Sequence, residues 1–295
     1  MSWVIGTRGS ALARWQADHV QTLIQTHVPN QATHIRTIQT TGDQDQTSPL
    51  HAIGGKGVFT KTIEEALLDG HIDMAVHSLK DMTSAMPEAL QLTAFLAAES
   101  PADAWISAEH PDFNQLPETA TIATGSLRRA ALVKRQYPMA TIVPIRGNVD
   151  TRLTRYNQIA IGTFLSVAGL ERLGLRNANT HALPVHTFTP APGQGVIVVQ
   201  TRRTDTALNT ALSAINHPHQ ERLARLELDF LHHVGLDCRA PLGVHAWVDN
   251  NHYNLSVFLS TNNLSCFMDE TYKAIQPSDI KTLADRCLNW LDTNQ

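Results

Sequence analysis

Ile72-Asp73-Met74-Ala75-Val76-His77-Ser78-Leu79-Lys80-Asp81 is the stretch on which the fold turns. Upstream of it, Phe59, Ile63, Ala66 and Leu67 recur at helical spacing between residues 57 and 69, and Gly70 is placed to stop that helix. The apolar run 72–76 is short enough for a buried strand and too short for a second helix. It ends abruptly in His77, Ser78, Lys80 and Asp81. In open α/β sheets, ligands sit outside the carboxyl ends of strands. A Lys-Asp pair at that place is a candidate site, with a surface ion pair on a loop as the plain alternative.

The flanking sequence repeats the pattern. Residues 3–5 are strand-like, 6–10 form a turn, and Ser10 can cap a helix with Leu12, Trp15, His19, Val20, Leu23 and Ile24 on one face. Residues 34–40 alternate as a strand. This βαβ start sets Arg8 and Ser10 beside a helix N-terminus, a natural anion seat. Gly54-Gly55-Lys56-Gly57 is not a phosphate-binding loop, because Leu50 stands where glycine is needed and Gly57 where Ser or Thr is needed. Its glycines allow a flexible approach to the next helix.

A boundary is expected near Glu99-Ser100-Pro101. Beyond it, residues 121–124 form a short strand and Ser126 caps a helix with Arg128 and Arg129 in its first turn. Cations there oppose the helix dipole, which points to ligand work. Residues 141–145 form another strand ending in Arg146-Gly147-Asn148, and Asn148 can cap a helix bearing Arg152 and Arg155. A further strand at 159–165 precedes a helix from 167 that carries Arg172. These candidates follow strand ends, as Lys80 and Asp81 do. Two α/β lobes facing each other across a cleft would bring them together.

Pro190-Ala191-Pro192-Gly193-Gln194-Gly195 is expected to cross between lobes, into a strand at 196–200 that returns to the first. A helix over 221–234 stops at Gly235. Strands at 244–248 and 253–259 form a hairpin around Asp249-Asn250-Asn251. Leu264, Cys266 and Met268 alternate onto one face, and Ser278 caps a last helix with Ile280, Leu283, Ala284, Cys287, Leu288 and Leu291 on one side. The expected architecture is α/β: residues 1–98 with 196–216 as one lobe, 99–195 as an Arg-rich second, and 217–295 as a small α+β C-terminal domain.

The chain has 295 residues and a net charge of −4. Its cations are 17 Arg and 6 Lys, and residues 123–176 hold eight of the Arg and one Lys against only Asp150 and Glu171. That window is about +7 in an acidic protein, and arginine's planar fork matches carboxylate or phosphate. Either an anionic ligand or helix-surface arginine accounts for it. Nucleic acid is less favoured, since Lys is scarce and no nucleic-acid motif occurs. No apolar run reaches membrane-spanning length. No signal-peptide pattern precedes the first strand, so a cytoplasmic location is expected.

Three cysteines make no disulfide framework. Cys287 and Cys266 lie on apolar faces and fit core roles. Cys238 lies in the loop Gly235-Leu236-Asp237-Cys238-Arg239-Ala240-Pro241-Leu242-Gly243, beside Arg239, which favours thiolate. A nucleophile or covalent anchor suits that place, and a structural role is equally open. No recognised metal-ligand spacing occurs.

Taken together these pieces resemble the porphobilinogen deaminase family. The resemblance runs in order over residues 3 to 245. It rests on Gly6-Thr7-Arg8 with Ser10, Thr41-Gly42-Asp43, Gly54-Gly55-Lys56-Gly57-Val58-Phe59 and Ala75-Val76-His77-Ser78-Leu79-Lys80-Asp81. It continues through Ser126-Leu127-Arg128-Arg129, Ile145-Arg146-Gly147-Asn148-Val149, Thr151-Arg152-Leu153, Ala168-Gly169-Leu170 with Arg172, Pro192-Gly193-Gln194-Gly195, and Cys238 with Pro241-Leu242-Gly243.

The resemblance implies periplasmic-binding-protein-like lobes and a dipyrromethane cofactor joined by thioether to Cys238. It implies condensation of four porphobilinogen units with loss of ammonia, then hydrolytic release of 1-hydroxymethylbilane. Asp81 matches the catalytic aspartate. Arg8, Ser10, Lys80, Ser126, Arg128, Arg129, Arg146, Arg152 and Arg172 match positions that hold carboxylates of cofactor or substrate. Lys56 and Gly57 match a flexible loop. A monomer without metal, nucleic acid or membrane is implied. Gly125 departs from the pattern where serine is common, and Leu236-Asp237 where Gly-Gly is common. A non-enzymatic anion binder on the same two-lobed fold is the other reading.

Overall fold

The computed structural model describes residues 2–40, 42, 57, 59–83, 86–236 and 240–294. Strands β1 (Trp3–Arg8), β2 (Thr33–Ile38), β3 (Met74–Ser78) and β4 (Leu90–Phe95) belong to one sheet. Strands β5 (Asp103–Ile106), β6 (Thr121–Ala123), β7 (Thr141–Val143), β8 (Gly162–Ser166) and β9 (Thr180–Ala182) make a second, in the order β7-β6-β8-β5-β9. Strand β10 (Ile197–Arg202) then returns to the first sheet, giving the order β2-β1-β3-β10-β4.

In the first sheet β1 is parallel to β2 and β3, whereas β10 is antiparallel to β3 and β4. In the second, β6 is parallel to β7 and β8, whereas β5 is antiparallel to β8 and β9. The chain crosses between lobes twice, and each crossing feeds the one strand that runs against its neighbours. The parallel strands of each lobe end on a common edge, where ligand sites of open sheets form.

Helix α1 (Ala11–His27) buries Ala17, Val20 and Ile24 at helical spacing against Ile5, Met74 and Val76. Helix α2 (Lys61–Leu68) covers the other face with Ile63 and Leu67 against Ile72 and Ala75. In the second lobe α3 (Leu127–Gln136) packs Ala131, Leu132 and Val133 onto Trp105 and Phe164. Helices α4 (Val149–Arg155) and α5 (Val167–Arg172) pack Val149, Val167 and Leu170 with Ala104, Ile145 and Leu165. Burying the Val, Leu, Ile, Met and Phe side chains among these contributes about 1.5–3 kcal/mol each, which holds both sheets rigid beneath their polar edges.

Helices α6 (Thr206–Leu212), α7 (Pro218–Val234) and α8 (Ile280–Asn294) come later. The last two pack with the antiparallel sheet β11 (Leu242–Asp249), β12 (His252–Ser260) and β13 (Phe267–Ile275) around Phe230, Val244, Val257, Ala284 and Cys287. Glu227 of α7 is buried and accepts hydrogen bonds from Gly193 N at 2.6 Å and Ala246 N at 2.8 Å. It thereby ties the second crossing segment to the third sheet. That segment needs glycine. Gly193 (φ +72) and Gly195 (φ +92) lie where a Cβ would fall 2.5 Å from Leu79 Cγ and 2.6 Å from the Glu99 carbonyl oxygen.

Several expectations are corrected. The turn expected at 6–10 is still strand through Arg8, because β1 keeps its parallel pairing to Arg8 opposite Ile38. Strand β3 runs on to Ser78, since β10 pairs with His77 and Ser78 as well. Asn148 stands at the N-cap of α4 but makes no side-chain capping bond. Leu264 sits in a turn with φ +57 and Cys266 precedes β13, so neither alternates on a strand. The last helix is entered through a turn at Pro277–Asp279, where Gln276 and Asp279 form a capping box that supplants Ser278. Strands β4, β5 and β9 were not anticipated. β5 and β9 are short, and β5 opens on a buried aspartate, which no apolar pattern signals.

Candidate active site

Asp81 ends a short turn, Leu79–Asp81, that leaves the carboxyl end of β3. Leu79 anchors the turn: it is buried, and its N donates to the Val196 carbonyl at 3.0 Å. Asp81 itself stays about one-third exposed, with Arg8 Nη1 at 4.0 Å from its Oδ2. Arg8 comes from the end of the adjacent β1 and lies over the Phe59 ring, 4.1 Å from the centroid. These residues line a pocket with Ser10, Gln16, His77 and Ser78. Ser10 caps α1, accepting from Ala13 N at 3.3 Å, and Gln16 donates to Ser78 Oγ at 2.7 Å.

Lys80 turns the other way, toward the crossings. Its Nζ lies 3.4 Å from Gln194 Oε1. Gln194 Nε2 in turn donates to the Pro101 carbonyl at 2.7 Å and to Asp103 Oδ1 at 3.1 Å. Asp103 is fully buried at the start of β5 and is the hub of this region. It accepts from Arg128 Nη1 at 2.6 Å, and from Arg129 Nη2 at 2.6 Å and Nε at 3.1 Å. Ser126 caps α3 through Arg129 N at 3.4 Å. The two first-turn cations that oppose the helix dipole thus find their anion inside the protein.

The electrostatics follow from this enclosure. Burial alone would raise the Asp103 carboxyl, but Arg128 and Arg129 outweigh it and hold it well below the usual carboxylate range. Burial pushes Lys80 down to about 8, with Asp81 opposing and Arg129 and Arg152 assisting. Burial, then Arg129, push Arg152 down to about 10, while Asp81 acts the other way. Arg152 Nε is buried and has no hydrogen-bond partner among the described residues. The lobe edges therefore carry cation in excess of the anions that meet it, an arrangement suited to polycarboxylate ligands.

The candidates do not form one cluster. Arg8, Ser10 and Asp81 share the first-lobe pocket, Arg128 and Arg129 surround Asp103, and Lys80 and Arg152 lie between, each under the field of both Asp81 and Arg129. Arg172 is buried, pairs with Glu99 at 2.7 Å, donates to the Gly195 carbonyl at 2.7 Å and lies 5.7 Å from the Trp15 ring centroid. It spans both crossings. Arg146 follows β7 and is half-buried. Gly125 is packed so closely that a Cβ would lie 2.8 Å from the Ile145 carbonyl oxygen, so a serine there would force that backbone to shift. Gly57 has φ +78. Lys56 and Cys238 lie outside the described residues. Sequence reasoning missed Asp103 and the hydrogen bonds of Gln194. The available signals were a carboxylate opening an apolar run and a glutamine between two glycines.

Residues 3–210 match the family model described as porphobilinogen deaminase, dipyromethane cofactor binding domain. The chain is 43% identical over 239 residues to the porphobilinogen deaminase of Syntrophomonas wolfei, covering 81% of this chain and 78% of that protein. It is 45% identical over 250 residues to that of Nitrobacter hamburgensis, covering 84% and 79%. Among solved structures, similarity extends to the methionine-binding protein MetQ (12% identity, 77% and 94% coverage, TM-score 0.47). It also extends to the periplasmic VFT2 domain of BvgS from Bordetella pertussis (15% identity, 78% and 92% coverage, TM-score 0.45).

Proposed function

The chain belongs to the porphobilinogen deaminase family, and on that premise we propose how its residues divide the work. It is a transferase of tetrapyrrole biosynthesis acting on porphobilinogen with a dipyrromethane cofactor. The reaction joins four porphobilinogen units head to tail, each with loss of ammonia, and hydrolysis releases 1-hydroxymethylbilane.

The residues fit such a cofactor. Every pyrrole of this series carries an acetate and a propionate, and the cleft offers Arg152, whose buried Nε has no partner among the described residues, beside Lys80, whose cation burial disfavours. Carboxylates delivered there would satisfy both. The cofactor anchors the growing chain and supplies the carbon to which the first substrate unit is joined. Cys238 is its attachment point. Arg8, Ser10, Lys80, Ser126, Arg128, Arg129, Arg146, Arg152 and Arg172 hold carboxylates directly or support the residues that do. For Arg128 and Arg129, support is the larger part, since both are committed to Asp103. Lys56 and Gly57 match the family's flexible loop, and Lys56 lies outside the described residues.

Asp81 is the catalytic carboxylate. Loss of ammonia from porphobilinogen leaves positive charge shared by the methylene and the ring nitrogen. A fixed carboxylate near that nitrogen stabilises the charge as it develops and can hold the proton exchanged there. The single observation that carries this reading is the placing of Asp81. It stands at the carboxyl end of β3 in an open pocket with Arg8 at 4.0 Å. Residues 1–98 with 196–216, 99–195, and 217–295 act as three domains of a cytoplasmic monomer. Among the described residues no helix is long and apolar enough to cross a membrane.

The test is the intact denatured mass, followed by peptide mapping. A mass excess of two condensed pyrrole units on the Cys238 peptide is expected. Asp81→Ala supplied with porphobilinogen should carry the adduct and fail to turn over. Normal turnover in that variant removes the role given to Asp81. A protein that never acquires an adduct and only binds pyrrole carboxylates reversibly is a binder instead.

A further inference from the structure

The pocket beside Asp81 contains two buried polar groups that the roles above leave unused. The first is His77, 5% exposed, which lines the pocket from β3. Its Nε2 meets Gln200 Oε1 at 3.1 Å. Gln200 Nε2 donates to Glu64 Oε1 at 2.9 Å, so the Gln200 amide turns its oxygen toward His77. That oxygen needs a donor, so neutral His77 carries its proton on Nε2. Nδ1 is then an acceptor, and the ring hydrogen bond among the described residues is the one at Nε2. Burial, with Arg8 assisting, pushes His77 down to about 4 against the pull of Gln200 and Asp81, so the ring stays neutral.

The second group is Thr60, 1% exposed and lining the same pocket. Its Oγ1 is buried and has no hydrogen-bond partner among the described residues. Unmatched buried polar atoms are costly, and they mark places where a ligand completes the hydrogen bonding. The β3–β10 register explains the geometry. Ala75 stands opposite Gln200, and His77 follows two residues on, so His77 and Gln200 share one face of the sheet.

We propose that His77 Nδ1 and Thr60 Oγ1 are further substrate-binding atoms that receive the primary ammonium of the substrate's aminomethyl group. This rests on the deaminase reading and deepens it. A primary ammonium brings three N–H donors and needs acceptors. Asp81 supplies the negative charge in this pocket, Arg8 can only donate, the Ser10 and Ser78 hydroxyls already accept from Ala13 N and Gln16 Nε2, and His77 Nδ1 and Thr60 Oγ1 are two further neutral acceptors. In the step itself the carbon–nitrogen bond breaks, and nitrogen keeps the electron pair and leaves as ammonia with its three hydrogens. The positive charge passes to the methylene and ring. No proton has to move, so a neutral acceptor that cannot take the proton is the appropriate partner.

The test uses the full chain carrying its cofactor, with porphobilinogen and with an analogue bearing hydroxymethyl in place of aminomethyl. His77→Gln keeps an amide at the Nε2 position and removes the Nδ1 acceptor. Thr60→Val removes a hydroxyl that makes no described hydrogen bond. The expected loss in kcat/KM on porphobilinogen is roughly tenfold to a hundredfold for His77→Gln and about fivefold or more for Thr60→Val. Both variants should lose less than about threefold on the analogue, because its neutral leaving group needs no ammonium acceptors. Equal losses on both substrates would assign these residues a merely structural role and overturn the proposal, as would full activity in both variants. An unsubstituted enzyme that turns over neither compound would overturn the deaminase reading, and this one with it.

Discussion

Replacing Asp103 by asparagine tests the hub that organises the cleft. Asp103 is fully buried and lies 2.6 Å from both Arg128 Nη1 and Arg129 Nη2. The substitution keeps size and shape but leaves two buried guanidinium groups without their anion. Removing one member of a buried ion network costs about 3–5 kcal/mol. At about 2–4 °C per kcal/mol for a chain of this size, Tm should fall by roughly 6–20 °C. The pH dependence follows from the sign of the shift. Arg128 and Arg129 hold the Asp103 carboxyl below its ordinary value of 3.8. Its contribution is therefore fully present above that value and is lost only as pH falls toward the folded-state value. Differential scanning calorimetry of both proteins from pH 8 downward should show a constant Tm gap to about pH 5, closing in more acid solution. A gap under about 3 °C at neutral pH, or one that widens below pH 4, would refute the reasoning.

Two further outcomes are expected. Burial lowers Lys80 to about 8, so its charge disappears as pH rises through that value, and KM for the carboxylate substrate should climb several-fold between about pH 7 and 9. Lys80→Met should start with the higher KM and show a flat profile; an unchanged profile would remove Lys80 from substrate binding. Gly195→Ala places a Cβ 2.6 Å from the Glu99 carbonyl at φ +92, and should cost at least about 2 kcal/mol in urea unfolding. Gly174→Ala, at φ +65 with nothing within 4 Å, should cost only about 1 kcal/mol. Similar costs for both would deny the crossing its steric constraint.

The local grammar of this protein was legible in its residues. The apolar run before Lys80 and Asp81 is a strand, Ser10 and Ser126 cap their helices, and the chain returns to its first sheet after Gly195. These features depend on contacts within a few residues or on periodicity, so the sequence carries them directly. The family was legible for the same reason: its motifs are short and occur in order. What the arginines do was not legible. A cation in a helix's first turn signals an anion without saying whether the anion is a ligand or a side chain 25 residues away. Only the antiparallel insertion of β5 brings Asp103 under Arg128 and Arg129. The His77–Gln200–Glu64 chain likewise joins residues up to 136 apart in sequence, and it exists only because β10 pairs with β3. Periodicity and capping are properties of a segment, whereas pairing of buried charges is a property of which segments meet.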